Sequence, residues 1–128
     1  MLAQKIIHTD QAPKAIGPYS QAVQFGNLIF VSGQVPLNPK TGDLVSEEIN
    51  SQTIQVLENL KAILESANSS LKQVLKTQVF LKDMNDFVKV NEIYARYFTD
   101  NFPARIAVQV ARLPKDVLVE IDAIAFTK

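Results

Sequence analysis

Pro103-Ala104-Arg105-Ile106-Ala107-Val108-Gln109-Val110 and, beyond a Pro114-Lys115-Asp116 turn, Leu118-Val119-Glu120-Ile121-Asp122-Ala123-Ile124-Ala125 close the chain with two runs rich in β-branched residues. Both read as strands. Each carries charge where most neighbours are apolar. Side chains alternate across a strand, so Ile106, Val108 and Val110 share one face while Arg105, Ala107, Gln109 and Ala111 share the other. The small residues beside Arg105 leave room above its strand. In the final run Glu120 and Asp122 share a face with Leu118 and Ile124. Charges inside a core-building strand are costly unless paired or used. An ion pair between Arg105 and one carboxylate at a subunit contact is one use, and a site for chemistry is another.

Spacing constrains the second option. If Leu113 and Leu118 close a tight hairpin, Glu120 pairs across from Ala111, and Arg105 lies six residues further along. That separation is roughly 20 Å at about 3.3 Å per residue. Arg105 and Glu120 then share a small site only between different chains, or if the two strands are not direct neighbours.

Working outward from the C-terminus, residues 85–98 read as a helix with a stripe of Phe87, Asn91, Tyr94 and Phe98, broken by Asp100-Asn101-Phe102-Pro103. Val74 to Leu81 is a strand by its β-branched and aromatic content. Before it, Ile49, Thr53, Val56, Leu57, Leu60, Ile63, Leu64 and Ala67 recur at helical intervals. Ser46 is the expected N-cap of this helix, with Glu47 and Glu48 against its dipole, and Asn68-Ser69-Ser70 ends it. Lys5 to Thr9 is a short strand, and Tyr19 to Phe25 with Leu28 to Ser32 flank Gly26-Asn27 as a hairpin. The order β-β-β-α-β-α-β-β predicts an α+β domain, one mixed sheet of about six strands with both helices on one face and part of the pairing parallel. The opposite face lacks cover within the chain. A mostly apolar face left bare points to further copies of the same chain.

At 128 residues, without internal repeats or linker-like stretches, the chain is one domain. Lys+Arg and Asp+Glu both number 13, so a generic electrostatic hold on nucleic acid is not expected. There is no cysteine, which excludes disulfides, thiol nucleophiles and cysteine-ligated zinc. A single histidine, His8, makes a histidine-based metal site or a Ser-His-Asp triad improbable, and it reads as a surface or edge residue. The N-terminal residues lack the apolar core of a signal peptide and no run is long enough to cross a bilayer, so a cytoplasmic protein is expected.

Other segments offer polar groups. Gly17-Pro18-Tyr19-Ser20-Gln21 presents a phenol and two polar side chains from a rigid turn, or simply half-buries Tyr19. Ser32-Gly33-Gln34 ends a strand where backbone N–H groups could face an anion, and Gly33 permits close approach or an unusual dihedral. Asn91 sits on an apolar stripe and needs a partner.

The segments Ala15-Ile16-Gly17-Pro18-Tyr19-Ser20-Gln21-Ala22, Val31-Ser32-Gly33-Gln34-Val35-Pro36-Leu37, Gln52 to Asn59, Val79 to Asn91, Pro103-Ala104-Arg105, Val108 to Asp116 and Val119 to Ala125 resemble the YjgF/YER057c/UK114 family, the RidA reactive-intermediate deaminases. The likeness runs over nearly the whole length. It implies a chorismate-mutase-like α+β fold assembled as a homotrimer with clefts between subunits. It implies hydrolysis of 2-iminobutanoate, 2-iminopropanoate and their enamine tautomers to 2-keto acids and ammonia, with no cofactor and no metal. By this likeness Arg105 binds the substrate carboxylate and Glu120 activates water, while Tyr19, Ser32, Gly33, Asn91 and the backbone N–H of Ala107 line the cleft. Many relatives read Arg-Ser-Cys-Val where this chain has Arg105-Ile106-Ala107-Val108. Ala107 keeps the N–H, and Ile106 changes the packing beside Arg105. Asp122, where relatives often carry glutamate, is expected to be structural. A non-catalytic trimer binding small carboxylates, or the ribonuclease activity reported for some relatives, are the competing implications.

Overall fold

Residues 3–128 are described by the computed structural model. In chain order the elements are β1 (Lys5–Ile7), β2 (Ala22–Phe25), β3 (Leu28–Gln34), α1 (Ile49–Ser66), β4 (Val74–Leu81), α2 (Phe87–Tyr97), β5 (Ala104–Gln109) and β6 (Val119–Phe126). The six strands form one sheet in the order β1-β2-β3-β6-β4-β5. Only β4 and β5 pair in parallel, and the other neighbours are antiparallel. The expected α+β class, element order and mixed sheet are all present.

The hairpin considered for the last two strands does not form, because β4 lies between them. Helix α2 carries the chain back so that β5 pairs in parallel with β4, as a crossover connection requires. The chain then crosses the end of β4 through a single turn at Pro114–Asp116, where Lys115 and Asp116 take positive φ of 56° and 55°. Arg112 grips Asp116 there with two hydrogen bonds of 2.7 and 3.1 Å.

Two helix starts also differ from expectation. Helix α1 begins at Ile49 with Glu48 at the cap, and no side chain caps it. Ser46 Oγ instead accepts from Glu48 N at 3.0 Å, and the Ser46 carbonyl accepts from Gln52 Nε2 at 2.9 Å, so the chain turns before the helix begins. Gln52 Oε1 also accepts from Leu118 N at 2.8 Å, tying the entry of β6 to α1. At the other helix, residues Met84–Asp86 form a 3-10 turn held by Asp83, and the α-helix starts at Phe87.

The core lies between the helices and one sheet face. Val56, Leu57, Leu60, Ile63 and Leu64 of α1, with Val90 and Ile93 of α2, pack on Ile29, Val79, Leu81, Val119, Ile121 and Ala125. Each such aliphatic side chain is worth about 1.5–3 kcal/mol on burial. The opposite face is open and carries many apolar residues, with Lys76, Gln78, Glu120 and Asp122 among them on the central strands β4 and β6. By strand register it carries Ile6, Phe25, Leu28, Phe30, Ile106, Val108 and Phe126, with Phe30 44% and Ile106 45% exposed. No helix among the described residues is long and apolar enough to cross a membrane. His8 is on the surface, 3.9 Å from Asp10.

Candidate active site

Arg105 lies on the edge strand β5, in register with Thr77 of β4 and on the helix side of the sheet. There α2 passes over it. Residues 87, 91 and 94 fall on one helical face, at spacings of four and three. The guanidinium carbon stands 4.9 Å from the Tyr94 ring centroid and 5.3 Å from that of Phe87. Asn91 Oδ1 accepts a 2.8 Å hydrogen bond from Nη1. Two aromatic rings and a neutral amide thus hold the cation, and its other N–H donors have no hydrogen-bond partner among the described residues. A cavity of about 430 Å³ opens beside it, bounded by Asn91, Tyr94, Ala95, Phe102, Pro103 and Arg105. The polar residue on the α2 stripe has therefore found its partner.

Ala107 follows Arg105 on the same side of β5 and is half-buried. Val110 N donates to Leu81 O at 2.9 Å, so alternate N–H groups of this strand point toward β4. Strand alternation turns the N–H of Ala107 the other way, to the free edge. Ile106 and Val108, by contrast, face the open side of the sheet, so the apolar set of β5 is not its core set.

Glu120 belongs to β6, in register with Phe80, and sits on that open side. Its carboxylate lies directly over Gly33: a Cβ built on Gly33 would stand 1.9 Å from Oε2 and 2.8 Å from Cδ. Gly33 is needed for this approach and not for its dihedral, since its φ is not in the left-handed region. The register of β3 against β6 shifts between Val31 and Gln34, which brings Gly33 under the carboxylate. Partial burial pushes the Glu120 carboxyl above the usual range, and the nearby charge of Asp122 adds to this. Asp122 is also raised by burial, but Oδ1 accepts from Gln78 N at 3.1 Å and Lys76 offsets part of the shift.

Gly33 also lines a shallow cleft with Tyr19, Ile16, Gln21 and Gln34. Tyr19 is 49% exposed, its hydroxyl accepting from Ile16 N at 3.3 Å. Ser32 Oγ donates to Ser20 O at 2.6 Å and Ser32 N donates to Gln21 O at 2.9 Å, so Ser32 fastens the Tyr19 segment to β3. Gln21 is buried and secures the same segment from below through Thr9, Ala12 and Pro13.

The seven residues singled out by sequence fall into two groups. Arg105, Asn91 and Ala107 stand on the helix side at the β5 edge, and Glu120, Gly33, Tyr19 and Ser32 gather around β3 and β6. Thr77 of β4 links Arg105 to Ala123 of β6 across the sheet, and Glu120 is three residues further along. That is about 10 Å along the strand and about 10 Å across two strand spacings. Arg105 and Glu120 moreover point to opposite faces. Within one chain they do not meet. Sequence reading missed the roles of Phe87, Tyr94 and Thr77 around Arg105, although the stripe of α2 had placed the two aromatics with Asn91.

A family model described as Endoribonuclease L-PSP matches residues 9–127. A RutC family protein of Pyrococcus horikoshii is 60% identical over 123 residues, covering 96% of this chain and 98% of its own. The 2-iminobutanoate/2-iminopropanoate deaminase of Escherichia coli is 53% identical over 124 residues, covering 94% and 96%. Among solved structures, Escherichia coli TdcF with bound serine superposes with a TM-score of 0.92 at 46% identity, covering 97% of this chain and 99% of that one.

Proposed function

This chain belongs to the Endoribonuclease L-PSP family, the group that includes the RutC and RidA proteins, and on that premise we propose that it hydrolyses 2-imino acids such as 2-iminobutanoate and 2-iminopropanoate to 2-keto acids and ammonia. The observation that carries the reading is the environment of Arg105. Its guanidinium is held by two aromatic rings and a neutral amide, while the ion pairs among the described residues are His8–Asp10 and Arg112–Asp116. A cation so oriented and not neutralised suits the planar carboxylate of a small acid. The bound serine of the TdcF structure and the name of the Escherichia coli deaminase point to the same ligand class.

The reaction follows from the residue types. The iminium carbon of the substrate is already electrophilic, so the chain needs only to orient it and manage a water. Glu120, ionised, takes a proton as water adds to that carbon, forming a carbinolamine. Glu120 passes that proton to the amine nitrogen and then takes the carbinol hydroxyl proton as the C–N bond breaks, so that ammonia leaves and the carbonyl forms. A carboxyl held above its ordinary range by burial suits both steps.

Because Arg105 and Glu120 lie on opposite faces of one sheet, this site is completed by a second copy of the chain. We assign it to clefts of a homotrimer, whose contact surface includes the open apolar face and the free β5 edge with the Ala107 N–H. Tyr19, Ser32 and Gly33 line the same cleft on the Glu120 side.

The test is clearance of 2-iminobutanoate generated in situ by a PLP-dependent threonine dehydratase. Arg105→Ala is expected to abolish acceleration of keto-acid release, and an unchanged rate would overturn the assignment. If the chain does not accelerate keto-acid release yet binds 2-oxobutanoate, and that binding survives Glu120→Gln but is lost with Arg105→Ala, the chain is a carboxylate-binding trimer and not an enzyme. RNA cleavage that persists through purification and vanishes with Arg105→Ala would replace the deaminase reading with the activity in the family's description.

A further inference from the structure

Arg105 sits on an edge strand, where a long side chain ordinarily samples many rotamers. What fixes its pose lies one layer deeper. Tyr94 presents its ring to the guanidinium while its hydroxyl, at the other end, is buried against Thr77 Oγ1 at 2.8 Å. Thr77 is 0% exposed and is the register partner of Arg105 on the neighbouring strand. Strand β4 thus holds the backbone of Arg105 by pairing and, through one hydroxyl, the ring on which its guanidinium rests. Phe98 packs against the Tyr94 ring, with centroids 4.4 Å apart and the planes tilted by 32°, and restricts the ring further. A core built only for packing would favour valine and phenylalanine at these two positions. A paired hydroxyl contact contributes little net stability but is strongly directional.

We propose that Thr77 and Tyr94 form a positioning pair, which sets the height and tilt of the aromatic shelf and so the pose in which Arg105 receives a carboxylate. The inference rests on the reading of Arg105 as the carboxylate anchor. Both hydroxyls are buried against each other, so the pair acts through the pose of Arg105 and not by a hydrogen bond to the substrate. Phe87 adds a second ring 5.3 Å from the guanidinium carbon, and Asn91 accepts a hydrogen bond from Nη1 that orients the group.

An anchor of this type contacts the carboxylate equally in ground and transition states, so loosening it raises KM and leaves kcat unchanged. The deciding variant is Thr77→Val/Tyr94→Phe, which removes both hydroxyls with their shapes retained and strands no buried polar atom. The readouts are KM and kcat for 2-iminobutanoate, the Kd of 2-oxobutanoate by calorimetry, and Tm. Expected are a Tm close to wild type, KM and Kd both raised about fivefold, the effect of one hydrogen bond lost between a displaced Arg105 and the carboxylate, and kcat within about twofold. A folded double variant with unchanged KM and Kd overturns the proposal, as does a loss confined to kcat. Should the double variant fail to fold, Thr77→Ser is compared with Thr77→Val: the serine must keep wild-type KM and the valine raise it, and equal values overturn the idea. Arg105→Ala in the same assay separates the two readings. If it leaves the rate intact, the anchor assignment fails; if it abolishes the rate while the double variant binds normally, only the positioning pair fails.

Discussion

Replacing Gly33 by alanine should disable catalysis while leaving the fold almost untouched. The added Cβ would stand 1.9 Å from Glu120 Oε2, 2.8 Å from Cδ and 3.1 Å from Cγ. Ordinary contact begins near 3.4 Å, so Oε2 must withdraw by about 1.5 Å. The obstructing group is the far end of a flexible side chain, so the conflict is relieved by rotating Glu120 and not by moving a strand. An off-rotamer side chain costs about 0.5–1.5 kcal/mol. Loss of backbone freedom in the unfolded state returns about 0.4–1 kcal/mol, because the φ of Gly33 is open to alanine. The two nearly cancel, and Tm should shift by only a few degrees.

Catalysis has no such compensation. A reacting group misplaced by about 1 Å loses about a hundredfold in rate, so kcat/KM for 2-iminobutanoate should fall by about two orders of magnitude at constant Kd for 2-oxobutanoate. The assay is keto-acid release from imine made in situ, alongside thermal unfolding of the same preparations. Glu120→Asp, one methylene shorter, should remove the steric conflict, so the two substitutions should be non-additive in activity and coupled in Tm. Wild-type kcat/KM in a folded Gly33→Ala protein would refute the reasoning, since the pose of the carboxylate would then be irrelevant.

Three further outcomes follow from the same geometry. As Glu120 must be ionised to take a proton and its carboxyl is raised above the usual carboxylate range, first by burial and then by Asp122, kcat/KM should rise with pH through an apparent pKa above that of an ordinary glutamate; Asp122→Asn removes the neighbouring charge and should move this limb to lower pH in a pH–rate profile. Asn91→Asp places a carboxylate 2.8 Å from Nη1, neutralising Arg105, and should raise KM more than tenfold while Asn91→Ala raises it less, as steady-state kinetics would show. Phe30→Glu puts a charge on the open sheet face beside Ile124, and sedimentation should find single chains that have lost deaminase activity.

Local pattern carried the elements further than it carried their arrangement. The stripe of α1 and the β-branched run of β4 were legible because periodicity and composition are properties of neighbours along the chain. Strand order was not, because the insertion of β4 between β5 and β6 depends on where α2 returns the chain, a long-range matter. The face of β5 was ambiguous for a related reason. Its two alternating sets, Ile106 with Val108 and Arg105 with Ala107, both accept burial, and only the passage of α2 over Arg105 decides which set meets the helices. Gly33 stood out as a residue with a purpose, yet the choice between dihedral and close approach hinged on a register shift in β3 against β6.

The split of the site follows from that arrangement. Spacing along the sequence had allowed Arg105 and Glu120 to meet either between chains or by strands that are not neighbours. The strands prove not to be neighbours, and still the residues do not meet, since one faces α2 and the other faces away from both helices. Two features of the isolated chain are unfavourable in water: an apolar sheet face carrying Phe30 and Ile106, and an edge strand with N–H groups turned outward at Ala107. In the proposed trimer, association of copies would relieve both at once and bring the Arg105 side of one copy toward the Glu120 side of another. Under the proposed reading, assembly and catalysis therefore rest on the same surface, so a substitution that opens the sheet face should remove activity without touching any residue that contacts the substrate.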